Sequence, residues 1–423
     1  MRCDRIVMTS EQIHQPNSNK ALADIRVLDL SQEIGAYCTK IMADLGANVI
    51  RIEPPEGDSL RHKGPYYHGQ VDIEKSLRHF QYNTSKRSIT LDIEKPEGAA
   101  LLRHLASRCD VLVDGYPPGH LAGLGLGHDE LSKANLRLIT ASITPFGQRG
   151  EYSSYAGTDI VGTAMGGLMA LCGFPDDPPN HPAGQQGYHL ASIAASAGIT
   201  LAVCARDLDP NGRGRRLEVS MQEAVSVSTL QTANAIFYTD LDTTPNRVGL
   251  GSVGGLGRTI LQCRDGRWVS FIVPPDFWDN FVVWLVENDL AGVLIAPEWA
   301  DPARRIEDSS PITEATAKLA ALYDRNDFFL EAQKRRLLGM PVNTIDDLIV
   351  DEQLNSRGFF VDVEHEDLQE TLTYPGAPVV FSETPYEIAH AAPHLGQHNE
   401  EVYTHELDLT DDELVDLRSR GVI

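Results

Sequence analysis

Residues 25–52 read IRVLDLSQEIGAYCTKIMADLGANVIRI, and this stretch decides the fold. Ile25 to Leu30 is an apolar run of strand length. Tyr37, Ile41 and Leu45 then recur every four residues, with Cys38 and Met42 beside them. That spacing lines one face of a helix. Gly46 ends the helix, and Asn48 to Ile52 forms a second strand. A parallel pair of strands needs such a crossover, so the unit is strand, helix, strand with parallel strands.

Working outward, the alternation continues. Glu97 to Arg108 reads as helix, Asp110 to Val113 as strand, and Arg137 to Ile143 as strand. Ile160 to Leu171 and Leu190 to Arg206 are apolar helices rich in small residues. Arg216 to Val219 reads as strand and Met221 to Phe237 as helix. This pattern gives an α/β chain, a Rossmann-like open parallel sheet with helices on both faces. Residues 240–258 are rich in glycine. Ile260 to Cys263 and Trp268 to Val273, joined at Asp265-Gly266, read as a β-hairpin. A smaller α+β domain is expected over 225–330, after a polar leader at 1–24 and a large domain at 25–224. Short strands, prolines and a final helix at Asp411 to Arg420 fill 331–423.

The chain has 423 residues, 36 Lys plus Arg and 60 Asp plus Glu, so its formal net charge is −24. A surface of that sign repels a phosphate backbone, which argues against nucleic acid as a partner. Six cysteines lie scattered at 3, 38, 109, 172, 204 and 263 with no CxxC pair, so reduced thiols are expected. No run approaches 18 consecutive apolar residues, so no membrane is expected as a partner. The start lacks a basic segment followed by an apolar core, and the cytoplasm is the expected compartment.

The first strand-to-helix turn is Ser31-Gln32-Glu33-Ile34-Gly35. A dinucleotide fingerprint needs three spaced glycines there, and only Gly35 is present, so a nicotinamide cofactor is not supported. Asp159, in Gly157-Thr158-Asp159-Ile160, stands at the start of an apolar helix. It serves there as a helix cap. It equally serves as a nucleophile, because a helix start stabilises the anion and a carboxylate attacks without a general base. Arg61, Lys86 and Arg87 follow strand ends, where open sheets bind ligands and cations hold phosphates. They read as readily as solvated surface charges. The glycines at 249, 251, 254, 255 and 257 fit a loop that approaches a ligand or a linker between domains. The histidines, His189 among them, show no metal-ligand spacing, and no metal site is expected.

Several ordered blocks resemble one family. VLDLSQEIGAYCTKIMADLGANVIRIEPPEGDSLR (Val27 to Arg61) resembles the opening of the family III CoA transferases, the CaiB/BaiF family. NTSKRSITLDIEKPEGAALLRHL, DVLVDGYPPGHLAGLGL and ITPFGQRGEYSSYAGTDIVGTAMGGLMALCG are similar to its later blocks, and PVNTIDDLIVDEQLNSRGFF, YPGAPVVFSETP and APHLGQHNEE to its C-terminal ones. The resemblance implies a large domain made from both chain ends, with 331–423 returning to it, and an interlocked-ring homodimer. It implies an enzyme that moves CoA from an acyl-CoA to a free carboxylic acid through an aspartyl anhydride and an aspartyl-CoA thioester. The catalytic residue would be Asp159. CoA-binding positions would be Arg61, Lys86, Tyr116, Gly254 and Gly255, with CoA as substrate and no tightly bound cofactor.

Some positions depart from the formyl-CoA transferase pattern. The first turn is one residue shorter, Gly115-Tyr116 replaces Asn-Phe, and Thr144 and Phe146 replace Lys and Tyr. The glycine loop lacks four consecutive glycines. Tyr37, Phe146 and Tyr155 suggest an apolar or larger acyl group. The same family contains acyl-CoA racemases, but these carry His where Thr158 stands, and a non-catalytic acyl-CoA-binding protein is the reading in which Asp159 only caps.

Overall fold

Val27 and Leu28 of strand β1 (Arg26–Leu30) are wholly buried, as a strand sandwiched between two helical layers requires. In this computed structural model, which describes residues 20–230, 247–251 and 259–423, β1 lies inside a six-stranded sheet. Its companions are β2 (Asn48–Glu53), β3 (Arg87–Thr90), β4 (Val111–Asp114), β5 (Ile139–Thr144) and β6 (Arg216–Ser220). The order is β3-β2-β1-β4-β5-β6 and every pairing is parallel. Leu28 pairs with Ile50 on one side and Leu112 on the other. The strand order reverses between β1 and β4, and a crevice opens at such a point beyond the carboxyl ends. The Rossmann-like α/β reading therefore holds, with smaller antiparallel sheets added to it.

The helices that matter for the site are α1 (Gln32–Asp44), α2 (Leu77–Tyr82), α3 (Pro96–Ala106), α4 (His120–Gly123), α5 (His128–Ala134), α6 (Asp159–Met165), α7 (Gln186–Leu208) and α8 (Met221–Leu230). The helix expected from Ile160 to Leu171 is broken in two. It ends at Gly166, and Gly167 turns left-handed (φ 86°) before a short 3₁₀ turn at Met169–Leu171. Of the helix expected over Met221 to Phe237, Met221–Leu230 is helical and residues 231–246 lie outside the described residues. Helix α7 is long and apolar enough to cross a membrane by composition, with mean hydropathy 1.5 over an 18-residue window. Its Ala191, Ala195, Ile199 and Ala202 face is buried, and the helix packs on α1 and β5 as a core element of the sheet layer.

The chain divides into two compact units: Met1–Gly166 with Ala183–Thr229 and Ser356–Ile423, and Gly167–Pro182 with Leu230–Asn355. The sequence reading set the small domain at 225–330. In the first unit the chain end returns to the sheet. Val402, Tyr403, Leu407, Leu414 and Leu417 join Leu28, Ile50, Ile89 and Leu112 in one core. The exposed edge of β3 is closed by the same segment: Ser88 N donates to His398 Nδ1 (3.1 Å) and Thr90 N to Asn399 Oδ1 (2.8 Å). Edge strands need such cover. The second unit has a three-stranded antiparallel sheet, β7 (Ile260–Gln262), β8 (Trp268–Ile272) and β9 (Leu338–Pro341). Trp278, Phe281, Trp284 and Phe328 form its core. The hairpin at Asp265-Gly266 is present, with Gly266 left-handed (φ 77°).

Candidate active site

Asp159 is the first residue of α6, and the extended Thr158 is its cap residue but makes no side-chain cap bond. Asp159 Oδ1 accepts from the backbone N–H of Tyr188, 3.0 Å away, in the first turn of α7. The first N–H groups of a helix lack internal partners, and the helix dipole adds positive charge there. A 23-residue helix thus points its positive end at this oxygen. Asp159 is 6 % exposed, so little water dilutes that field.

Two glycines seat α6. A Cβ on Gly162 would lie 2.5 Å from Met221 Cε, and one on Gly166 would lie 2.4 Å from Val225 Cγ1. Side chains at either place would lift Asp159 off α8. Gly187 lets α7 approach the carboxylate: a Cβ there would stand 3.1 Å from Asp159 Oδ1.

Aromatic groups wall the site. Tyr82 OH and His189 Nε2 share a 2.8 Å hydrogen bond, and Tyr37 lies against the imidazole at 5.0 Å between centroids. Burial lowers the His189 pKa below its ordinary 6.5, against the pull of Asp159, so the ring is neutral at neutral pH. Burial first, then the charges of Glu33 and Asp159, push the Tyr188 phenol up to about 12. Tyr37 is thus at the site, whereas Phe146 and the exposed Tyr155 both pack around Tyr152.

The first strand-to-helix turn leads from β1 into α1 at the carboxyl edge of the sheet. Gln32 is left-handed (φ 53°), an unusual backbone for such a side chain. Gln32 lines a cleft of about 380 Å³ with Pro54 to Ser59, Leu91 to Glu94 and Tyr116. Its neighbour Glu33 instead bonds Gln185 Nε2 (2.9 Å), Arg78 Nη1 (3.1 Å) and Lys63. Gly115 allows the tight fit of β4 against this turn, because a Cβ there would be 2.1 Å from Ser31 O.

Tyr116 lines this cleft, half-buried and stacked on His120 at 4.6 Å. Arg61 follows β2, whereas Lys86 precedes β3 rather than following a strand end, and both are 0 % exposed. Arg61 pairs with Glu53 (2.6 Å), Glu74 (2.8 Å) and the Pro393 carbonyl (3.0 Å). Lys86 Nζ donates to Asp29 (2.9 Å), Thr39 (2.8 Å) and Asn83 (3.0 Å). Arg51 completes the set on Asp29 (2.9 Å) and Asp58. Burial alone would raise the Asp29 pKa; the Arg51 and Lys86 charges overcome it and hold the carboxyl well below the usual range. Arg61 and Lys86 are therefore buried structural charges in this structure, not solvated ones. Gly254 and Gly255 lie outside the described residues; of that glycine run, Gly249 and Gly251 are described.

Sequence reasoning had set His189 aside and did not single out Arg78, Tyr82, Gln185 or Tyr188. Only the four-residue spacing of Arg78 and Tyr82 carried a local signal, one face of a short helix.

Comparisons with known proteins give the family. A profile of CoA-transferase family III matches residues 22–399. The chain is 32% identical over 390 residues to the succinyl-CoA:(R)-benzylsuccinate CoA-transferase subunit BbsE of Thauera aromatica, covering 89% of this chain and 92% of that protein. It is 32% identical over 423 residues to the formyl-CoA:oxalate CoA-transferase of Streptomyces coelicolor, covering 96% and 99%. A crystal structure of a CAIB/BAIF family protein from Brucella suis superposes with TM-score 0.79 at 25% identity, over 92% of this chain and 100% of that one. The chain belongs to family III of the CoA-transferases, the CaiB/BaiF family, and is an enzyme of that family.

Proposed function

We propose that the enzyme moves CoA from an acyl-CoA thioester to a free carboxylic acid, with Asp159 as the covalent carrier. The carboxylate attacks the thioester carbonyl, the C–S bond breaks, and a mixed anhydride and CoA thiolate result. The thiolate attacks the aspartyl carbonyl, giving an aspartyl-CoA thioester and the donor acid. The acceptor carboxylate attacks that thioester, its C–S bond breaks, and a second mixed anhydride and free CoA thiolate result. The thiolate then takes the acceptor acyl group, and Asp159 is restored. Each step exchanges one activated acyl bond for another, so the thioester energy is kept. The Tyr188 N–H, 3.0 Å from Oδ1, is the donor for the oxyanion that forms on the aspartyl carbonyl.

The single observation that carries the reading is a buried carboxylate held by the first turn of α7 in a family III chain; a cleft of about 380 Å³ opens separately at the carboxyl edge of its sheet. The nucleotide of CoA is read into that cleft, against Gln32 and Tyr116. Arg61 and Lys86 hold its wall from behind. Exposed apolar side chains on α6, α7 and α8, including Ile160, Met165, Ile193, Leu201 and Val227, support an interlocked homodimer. Free thiols at Cys38, Cys109 and Cys263 fit a reducing, cytoplasmic setting.

Asp159→Asn tests the assignment. Turnover of acyl-CoA with free acid should fall by at least about 10³-fold, on the scale of losing a nucleophile, with CoA still bound. Full activity of this variant would end the nucleophile assignment. The racemase reading gains one observation, since His189 supplies a proton carrier within reach of the Asp159 charge. Incorporation of solvent deuterium at the α-carbon of a 2-methylacyl-CoA, without CoA transfer, would favour it.

A further inference from the structure

On a chain with net charge −24, the surroundings of Glu33 are locally positive. Lys63 and Arg78 both pair with this one carboxylate, and Gln185 adds an amide donor. Two cations against one anion leave a surplus positive charge. Arg78 is also held still. Its Nε donates to the Gly64 carbonyl (2.9 Å) and its Nη1 to Glu33 Oε1 (3.1 Å). Nη2 has no hydrogen-bond partner among the described residues, and the side chain is 35% exposed. A guanidinium fixed on one side and open on the other is ready for a carboxylate.

The place of Arg78 is as telling as its state. Arg78 and Tyr82 are four residues apart on α2, so they share a helix face. Tyr82 bonds His189, whose neighbour Tyr188 holds Asp159 through its N–H. Burial raises the pKa of both phenols, and each also feels Glu33, Arg78 and Asp159 together. Tyr82, His189 and Tyr188 thus link the positive Arg78 to the negative Asp159 through a chain of direct contacts. The backbone at Gln185, which ties Glu33 to the start of α7, is left-handed (φ 55°), a strained conformation of the kind found at functional sites.

We infer that Arg78 is a specificity-determining residue that binds the far carboxylate of a dicarboxylic acid, or of its CoA monoester, while the near carboxyl group reacts at Asp159. Glu33 is a positioning residue that keeps the guanidinium in place. The inference rests on the CoA-transfer reading and adds the substrate class to it. A monocarboxylic acid of the same chain length leaves Nη2 without a partner and forfeits one charge-assisted bond.

The test compares succinyl-CoA and glutaryl-CoA with butyryl-CoA as donors, with the matching free acids as acceptors, in wild type, Arg78→Gln and Arg78→Lys. Wild type should favour the dicarboxylic pairs. Arg78→Gln should lower their kcat/KM by about 10–100-fold, mainly through KM, and leave the butyryl pair within about two-fold. Arg78→Lys should fall between. A wild-type preference for butyryl-CoA, an equal loss on both classes, or no loss on either would overturn the inference. The wild-type preference alone is decisive should Arg78→Gln fail to fold. If wild type moves CoA between no acids and hydroxylamine traps no adduct on Asp159, the CoA-transfer reading itself fails, and the inference with it.

Discussion

Gly187→Ala separates the catalytic role of α7 from its structural one. The added methyl would lie 3.1 Å from Asp159 Oδ1 and 3.2 Å from Met221 Sδ. Ordinary heavy-atom contacts settle at about 3.5–4.0 Å, so the carboxylate and the start of α7 must part by roughly 0.4 Å or more. The Tyr188 N–H bond to Oδ1, now 3.0 Å, stretches towards 3.4 Å or beyond, the edge of hydrogen bonding. Removing one oxyanion donor outright costs on the order of 10²–10³-fold in rate, and a stretched one should cost about 10–100-fold. Stability moves the other way. Alanine in place of glycine in a helix is favourable by up to about 1 kcal/mol, which offsets the crowding. The expected result is a kcat for CoA transfer down by 10–100-fold, with an unchanged midpoint in thermal melts. Full activity would refute the donor role of Tyr188 N–H. A fall in activity matched by an equal fall in stability would show that Gly187 serves packing alone.

Other outcomes follow from the buried charges. Lys86→Met leaves Asp29 with Arg51 as its one cation, and urea titration should show a loss of about 3–5 kcal/mol. Adding Asp29→Asn should recover part of that loss, because the two groups form one network. Asp114, at the end of β4, accepts from Ser142 Oγ (2.7 Å), and burial raises its pKa to about 6. A raised carboxyl pKa means the folded state holds its proton more tightly than the unfolded state. Its contribution is complete at low pH and is lost as pH rises from about 4 to 6. Above that window the charged group costs the fold about 3 kcal/mol, at about 1.36 kcal/mol per pK unit. Asp114→Asn should therefore raise the melting temperature at pH 8 and leave it little changed near pH 4.

What could be read in advance divides along physical lines. The β1-α1-β2 unit was legible because Tyr37, Ile41 and Leu45 repeat with helical spacing between two apolar runs. Strand β3 was not, because its four residues RSIT carry one large apolar side chain and its partner strand Ile50–Glu53 is distant in sequence. The long helix from Ile160 to Leu171 failed at Gly166-Gly167, where apolar periodicity continued but a left-handed backbone intervened. Asp159 stood out through its position at a helix start and through family likeness. Its true hydrogen-bond partner, Tyr188, lies 29 residues on in another helix, and no local spacing encodes that. Arg61 and Lys86 read alike as ligand contacts or as surface charges. Burial came from carboxylates and carbonyls that only the fold assembles: Glu53, Glu74, Asp29 and Pro393.

The closing of β3 by His398 and Asn399 sets a clock on biosynthesis. Ser88 and its acceptor are 310 residues apart. A ribosome adds about 5–20 residues per second, so the strand waits roughly 15–60 s, unpaired on that flank, before its cover emerges. Contacts so remote in sequence also slow folding. The nascent first half is thus an open-edged intermediate, prone to sticking to its neighbours on a polysome, and a chain that stops short of its last 30 residues would keep that fault for life.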